Sequence, residues 1–294
     1  MIVRRWLTAA GLALRRNPRL VISATLLTVL LVAALCGPLV YTASSTDGDF
    51  FHVRSWPSPA HPLGTDSNGR DTLARLLVGM RVTFLVAVLV ESINVSLGTT
   101  AGLLAGYYRG WIDGALSRLV DVLFAFPGLL FVIMIAGIFG NAVSESFGGG
   151  GRLALLAAAL ALIGWPLMAR YVRGETLSLS QQDFVQAAQA VGVSSPRILW
   201  GHLLPNVAGL VVVAATLDVV GVIAGEATLS LLGLGIQDPG SSLGLMISEA
   251  RDYMDINWTQ EFFPSAMLTV LVLLFSFLGD GLRDALDPRA RQRR

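Results

Sequence analysis

Hydrophobic residues in this chain gather into long runs separated by short polar stretches. Six runs stand out: Leu20 to Tyr41, Val82 to Gly106, Val120 to Gly140, Leu153 to Ala169, Val207 to Ala224 and Phe262 to Leu282. A helix that crosses a bilayer needs about 17 to 25 mostly apolar residues, and each run fits. The pattern therefore predicts an all-α, polytopic membrane protein with six transmembrane helices. The first run is too long for a signal-peptide core and lacks a small-x-small cleavage site before the next polar segment.

The polar stretch Gln182 to Asn206 lies between the fourth and fifth runs and carries its own helix signals. Asp183 can cap a short helix, with Gln186 three residues on as the reciprocal partner of a capping box, and Gly192 supplies a stop. Ser195 is a suitable N-cap for a second helix, and Pro196 suits its first position. Ala187, Ala188 and Ala190 would give the first helix a face so small that another protein's surface could approach its backbone closely. The stretch reads as a docking element.

Composition agrees with a membrane chain: 54% of residues are hydrophobic and 14% are charged, against about 25% charged in soluble domains. All 21 basic residues are Arg. Without lysine the chain has neither a P-loop nor a Schiff-base lysine, so it cannot hydrolyse ATP through a Walker motif or carry pyridoxal phosphate. Cys36 is alone, inside the first run, and reads as a small core hydrophobe.

Arginine also sets the orientation. Arg4, Arg5, Arg15, Arg16 and Arg19 precede the first run with no acid among them, which predicts a cytoplasmic N-terminus. Six spans return the C-terminus to the same side with Arg283, Arg289, Arg291, Arg293 and Arg294, and leave Arg54, Arg70, Arg75, Arg81, Arg152 and Arg251 outside. The expected organisation is a cytoplasmic arm (1–19), a first helix with an external loop (20–81), a core (82–282) and a cytoplasmic tail (283–294). The core holds a cytoplasmic docking loop (170–206) and an external loop (227–261). Thr42 to Arg81 and Thr228 to Glu261 read as polar caps, the first including an amphipathic helix at Leu73 to Met80.

These segments carry a resemblance. Ala187-Ala188, Gly192, Ile198 and Leu204-Pro205-Asn206 resemble the cytoplasmic "EAA" loop of ABC importer permeases, with Gln186 where that family usually has Glu. The blocks His61 to Asp66, Gly69-Arg70-Asp71, Phe126-Pro127-Gly128, Leu229 to Gly235 and Asp287-Pro288-Arg289 resemble the C-type permeases of dipeptide and oligopeptide systems. Leu243 stands where that branch commonly has Trp. The resemblance implies a bacterial inner-membrane subunit that forms half a translocation path with a homologous second permease. Two ATPase subunits would use ATP and Mg, an extracytoplasmic binding protein would deliver cargo, and this chain would bind no cofactor. Asp183, Gln186, Ala187, Ala188, Gly192, Ile198 and Pro205 would couple to the ATPases. Nickel or metal-chelate permeases share these blocks. A proton-driven secondary transporter is an alternative of another class, although no internal repeat is evident.

Other candidates come from the residues themselves. Gly98, Gly102 and Gly106 recur every four positions and mark a helix-packing face. Pro127 and Pro166 would bend their helices, as hinges or as static kinks. Glu91 and Asp218 are ionisable groups inside apolar runs, costly unless they face protein or water, and Asn94 is a polar neighbour of Glu91. They could line the path and meet a cationic group such as a peptide amine, or be protonated and hydrogen-bonded between helices. Gly148 to Gly151 is followed by no Gly-Lys-Ser/Thr and reads as an external turn. His52, His61 and His202 lack metal-ligand spacing, no catalytic constellation assembles, and the Arg clusters lack the interleaved aromatics of a nucleic-acid site.

Overall fold

The computed structural model describes residues 17–286. The arginines of the N-terminal arm up to Arg16 and the tail from Asp287, with its Asp287-Pro288-Arg289 block, lie outside the described residues. Within them the regular structure is helical apart from one isolated bridge between Thr65 and Asp71. Its helices are α1 (Pro18–Val40), α2 (Thr72–Tyr108), α3 (Gly110–Ala125), α4 (Gly128–Leu179), α5 (Asp183–Ala190), α6 (Ser195–Ile198), α7 (Leu204–Leu231), α8 (Leu243–Ala250) and α9 (Thr259–Leu286). One π turn, Leu199–Leu203, joins α6 to α7.

Five helical stretches are long and apolar enough to cross a membrane: α1, α2, α4, the run Ser195–Leu231 and α9. Helix α4 is in fact a hairpin. Gly148 takes φ 65° and ψ −161°, outside the helical region, a conformation glycine adopts without the steric penalty of a side chain. As a straight helix, α4 would hold Gly128 and Ile163 roughly 50 Å apart. Instead a Cβ built on Gly128 would lie 3.1 Å from the Ile163 side chain, and one on Gly140 would lie 3.7 Å from the Arg152 guanidinium. The chain thus reverses at Gly148, and its two arms, 128–147 and 149–179, lie side by side.

Several boundaries differ from the apolar pattern. The third run, Val120 to Gly140, crosses a break: α3 ends at Ala125, Phe126 is extended, and Pro127 precedes α4. A residue before proline disfavours helical geometry, so Pro127 divides two helices rather than bending one. Pro166 lies within the second arm. The amphipathic segment Leu73 to Met80 is the first part of α2, which Asp71 caps by accepting from the Ala74 N–H at 2.9 Å. Helix α4 continues beyond Ala169 to Leu179, and α7 beyond Ala224 to Leu231. Cys36 is exposed on α1 rather than in the core.

The centre of the bundle is the contact between α2 and the second arm of α4. Cβ atoms built on Gly98, Gly102 and Gly106 would lie 2.6–2.7 Å from Met168, Val172 and Thr176. The three glycines run in register along α4, and both helices run in the same direction. Two apolar cores flank this contact. One joins Val86, Val90, Val132, Leu156, Leu160, Val222 and Leu229; the other joins Leu103, Met168, Val172 and Leu179 to the stretch that follows α4.

The polar caps close over one end. Arg70 and Arg75 are almost fully buried, 2% and 1% exposed. Arg70 pairs with Asp66 at 2.7 Å and with Asp238, while Arg75 pairs with Asp66 and, at 2.6 Å, with Glu249. These ion pairs tie the start of α2 and the segment before it to α8 and the loop ahead of α8. Burial opposes the charge on Arg70, but the carboxylates of Asp238 and Asp66 overcome it and hold the guanidinium above its ordinary value.

Candidate functional site

Two groups of residues carry the candidate chemistry: the stretch between α4 and α7, and the carboxylates buried between α2 and α7. In the first, α5 begins one residue earlier than the capping pattern suggests. Gln182 is the N-cap, because its carbonyl accepts from the Gln186 N–H at 3.2 Å. Asp183 is therefore the first helical residue, where its charge complements the helix dipole, and it forms no side-chain cap. Gln186 donates instead to the Gln181 carbonyl at 3.0 Å. The second helix is likewise shifted by one: Ser194 is the N-cap, with Ser195 and Pro196 inside α6.

The end of α5 follows from Gly192. Its φ of 79° reverses the chain, with the Val193 N–H bonding the Ala188 carbonyl and the Gly192 N–H the Gln189 carbonyl, each at 3.0 Å. That pair is a Schellman motif. A Cβ at Gly192 would meet nothing within 4 Å, so the backbone alone requires glycine here.

Spacing decides which face of α5 points outward. Val185 and Ala188, three residues apart, turn into the apolar core beside Ile198, Leu199 and Leu203. Ala188 is only 9% exposed, so it packs inside its own chain and is not free for a partner. The outward residues are Asp183, Phe184, Gln186, Ala187, Gln189 and Ala190, continued by Val191 and Trp200. Two polar contacts tie the insert to the end of α2: Gln189 donates to the Tyr107 hydroxyl at 3.3 Å, and Arg109 donates to Ser180 at 3.2 Å. Pro205 explains the π turn. It lacks an N–H and its ring crowds the preceding turn, so the ladder widens there, with the Leu204 N–H reaching the Leu199 carbonyl.

In the second group the fold gathers Glu91, Asn94 and Asp218. The Asn94 amide donates to Asp218 Oδ2 at 3.0 Å and to Glu91 Oε1 at 3.5 Å. Asn94 is fully buried and Glu91 is 9% exposed. Glu91 Oε2 and Asn94 Oδ1 are buried with no hydrogen-bond partner among the described residues. Asp218 is half-buried and lines an open cavity of about 440 Å³ with Leu167, Tyr171, Ala214 and Arg283. The unanticipated partner is Gly164. A Cβ there would stand 2.5 Å from the Asn94 amide, so the glycine makes the room in which Asn94 lies. Glu226, two residues past the apolar run that ends at Ala224, is also buried, and accepts from Ser230 at 2.7 Å inside α7.

Comparison with known proteins assigns this architecture. A family model described as "Binding-protein-dependent transport system inner membrane component" matches residues 98–292, which include the hairpin, the insert and α7 to α9. The chain belongs to this family. It is a multi-pass permease subunit of the ABC importer class in the inner membrane. The permease is 40% identical over 272 residues to the oligopeptide transport system permease protein OppC of Escherichia coli K12, covering 91% of this chain and 87% of that one. It is 37% identical over 278 residues to OppC of Haemophilus influenzae, covering 94% and 86%. The glutathione transport system permease protein GsiD of Escherichia coli O6:K15:H31 is 40% identical over 243 residues, covering 83% and 77%. Among solved structures, the inward-facing MetNI methionine ABC transporter matches with a TM-score of 0.59 at 21% identity, covering 72% of this permease and 97% of that chain. That likeness supports the fold.

Proposed function

We propose that this permease forms half the translocation path of an ATP-driven importer of peptides, with a homologous second permease, two ATPase subunits and an external binding protein. The observation that carries the cargo is the 40% identity to an oligopeptide permease over 91% of the chain, and a relative of equal identity is named for the transport of glutathione, itself a tripeptide. The hairpin at Gly148 within five apolar stretches supports a six-crossing reading, and the arginine bias of the sequence favours the orientation in which the insert is cytoplasmic. The insert then meets the ATPases through the outward face of α5. ATP and Mg act on those subunits; this chain has no lysine for a nucleotide loop. A proton-driven mechanism leaves such a docking element without a role.

Reconstitution tests the cargo directly. The four membrane and ATPase subunits are placed in proteoliposomes with the binding protein, and uptake of a labelled short peptide is followed with and without ATP. ATP-dependent peptide accumulation is the expected result. Uptake of nickel chelates with none of peptide would replace the cargo assignment.

A further inference from the structure

Glu91, Asn94 and Asp218 do not form a closed polar network. Asn94 spends its amide donors on the two carboxylates, which leaves Asn94 Oδ1 and Glu91 Oε2 buried and unpartnered, and neither acid has an ion pair among the described residues. Glu91 and Asp218 lie within hydrogen-bonding reach of each other, and two carboxyl groups in an apolar setting are met by a shared proton or by a donor-rich, positively charged group. Such a group has a route to them, because Asp218 forms part of the wall of the 440 Å³ cavity while Glu91 and Asn94 stand behind it. The remaining wall is mostly apolar, from Leu167 and Met168 on α4 to Leu210, Val213, Ala214 and Leu217 on α7.

The same cavity has an opposite charge. Arg283 of α9 lines it, exposed and without an ion pair among the described residues. Its height relative to Asp218 follows from helix contacts. A Cβ on Gly279 would stand 2.5 Å from Leu217, so Gly279 is level with the residue beside Asp218. Arg283 lies one turn further along α9, about 6 Å along the axis. A dipeptide spans at most about 7 Å between its ends. The cavity therefore offers a carboxylate cluster and a guanidinium from positions offset by about one helical turn along the bundle, the scale of a small zwitterion, with apolar walls that would accept small side chains.

We infer that this cavity is a binding site for a zwitterionic peptide, with the ammonium at Asp218, reinforced by Glu91 and Asn94, and the carboxylate at Arg283. The inference deepens the peptide reading by giving the cargo a resting place within this subunit, and it can fail independently of that reading.

The test places a reporter on the cavity wall. Ala214→Cys is introduced in a Cys36→Ala background, and maleimide labelling is timed in the assembled complex without binding protein. Dialanine, at about tenfold above its Kd, should slow labelling about tenfold. N-acetyl-dialanine lacks the ammonium and dialanine amide lacks the carboxylate; each should need at least about tenfold more for equal protection, since each forfeits a charge-assisted hydrogen bond. Asp218→Asn should abolish the preference over the acetylated probe alone, and Arg283→Gln the preference over the amide alone. Each comparison is made within one protein, so a general loss of stability cancels, and the probe series in the Ala214→Cys parent decides the question even where a further variant does not assemble. Absence of protection, equal protection by all three probes, or preferences unchanged in both variants would overturn the site. Peptide uptake without protection would reject the site and spare the cargo assignment, whereas protection without uptake would do the reverse.

Discussion

A side chain at Gly102 would have nowhere to go. Its Cβ would lie 2.7 Å from both the Ala169 carbonyl oxygen and the Val172 Cβ, and a backbone oxygen within a helix cannot swing aside. Gly102→Val is expected to destabilise the permease by about 1 to 3 kcal/mol through overpacking. Gly137→Ala is the control, since nothing lies within 4 Å of that position and alanine is the better helix former by about 1 kcal/mol. Thermal denaturation of the purified protein should show a lowered midpoint for the first and no lowering for the second. The glycine stripe was legible because helical periodicity alone places 98, 102 and 106 on one face. Gly164 was not, since a lone glycine beside Trp165 and Pro166 gives no sign that Asn94 needs its space. The link between Asn94 and Asp218 spans 124 positions, and only the packing of α2 against α7 creates it.

At the scale of elements, ion pairs join α3 to the second arm of α4 beside the apolar contact of Val120 with Trp165 and Ala169. Arg173 on α4 donates to Asp113 from Nε at 2.5 Å and from Nη2 at 2.8 Å, and this guanidinium holds the Asp113 carboxyl below the usual carboxylate range. A depressed folded value means the pair stabilises above about pH 4, where an unfolded aspartate is ionised, and is lost as pH falls through the lower folded value. Hydrogen-exchange protection of α3 should therefore drop on acidification. Asp113→Asn should lower that protection at neutral pH and shrink the acid step, with the Arg170–Asp121 pair left in place; an unchanged acid step in the variant would assign it to another group. Element types were readable from apolar runs and caps, but boundaries were not. The run from Val120 to Gly140 is continuous in hydropathy, yet Pro127 divides it. The capping box at Asp183 fits the sequence rule, but the turn leaving α4 makes Gln182 the cap. For Ala188, composition indicated a small residue on a docking helix, while only the tertiary packing of Val185 and Ile198 reveals that it faces inward.

For the whole molecule, ATP-driven import requires one orientation and one point of energy input. Single-cysteine labelling from outside, in the Cys36→Ala background, should reach positions 61 and 237 and spare position 189; external labelling at 189 would reverse the topology and remove the docking argument. The proposed energy input is through the outward face of α5, and neighbouring alanines separate it from mere folding. Ala188→Asp would bury an unpaired charge in the core beside Ile198 and should lower assembly itself. Ala187→Asp changes an exposed position and should leave the permease folded. The direct measurement is peptide uptake beside cargo-stimulated ATP hydrolysis in proteoliposomes of the complete complex carrying Ala187→Asp. The expected result is an assembled complex in which uptake falls at least about tenfold, the effect of an uncompensated charge at a close-packed interface. Uptake and stimulation at wild-type levels would contradict the claim that α5 is where ATP hydrolysis reaches the membrane helices.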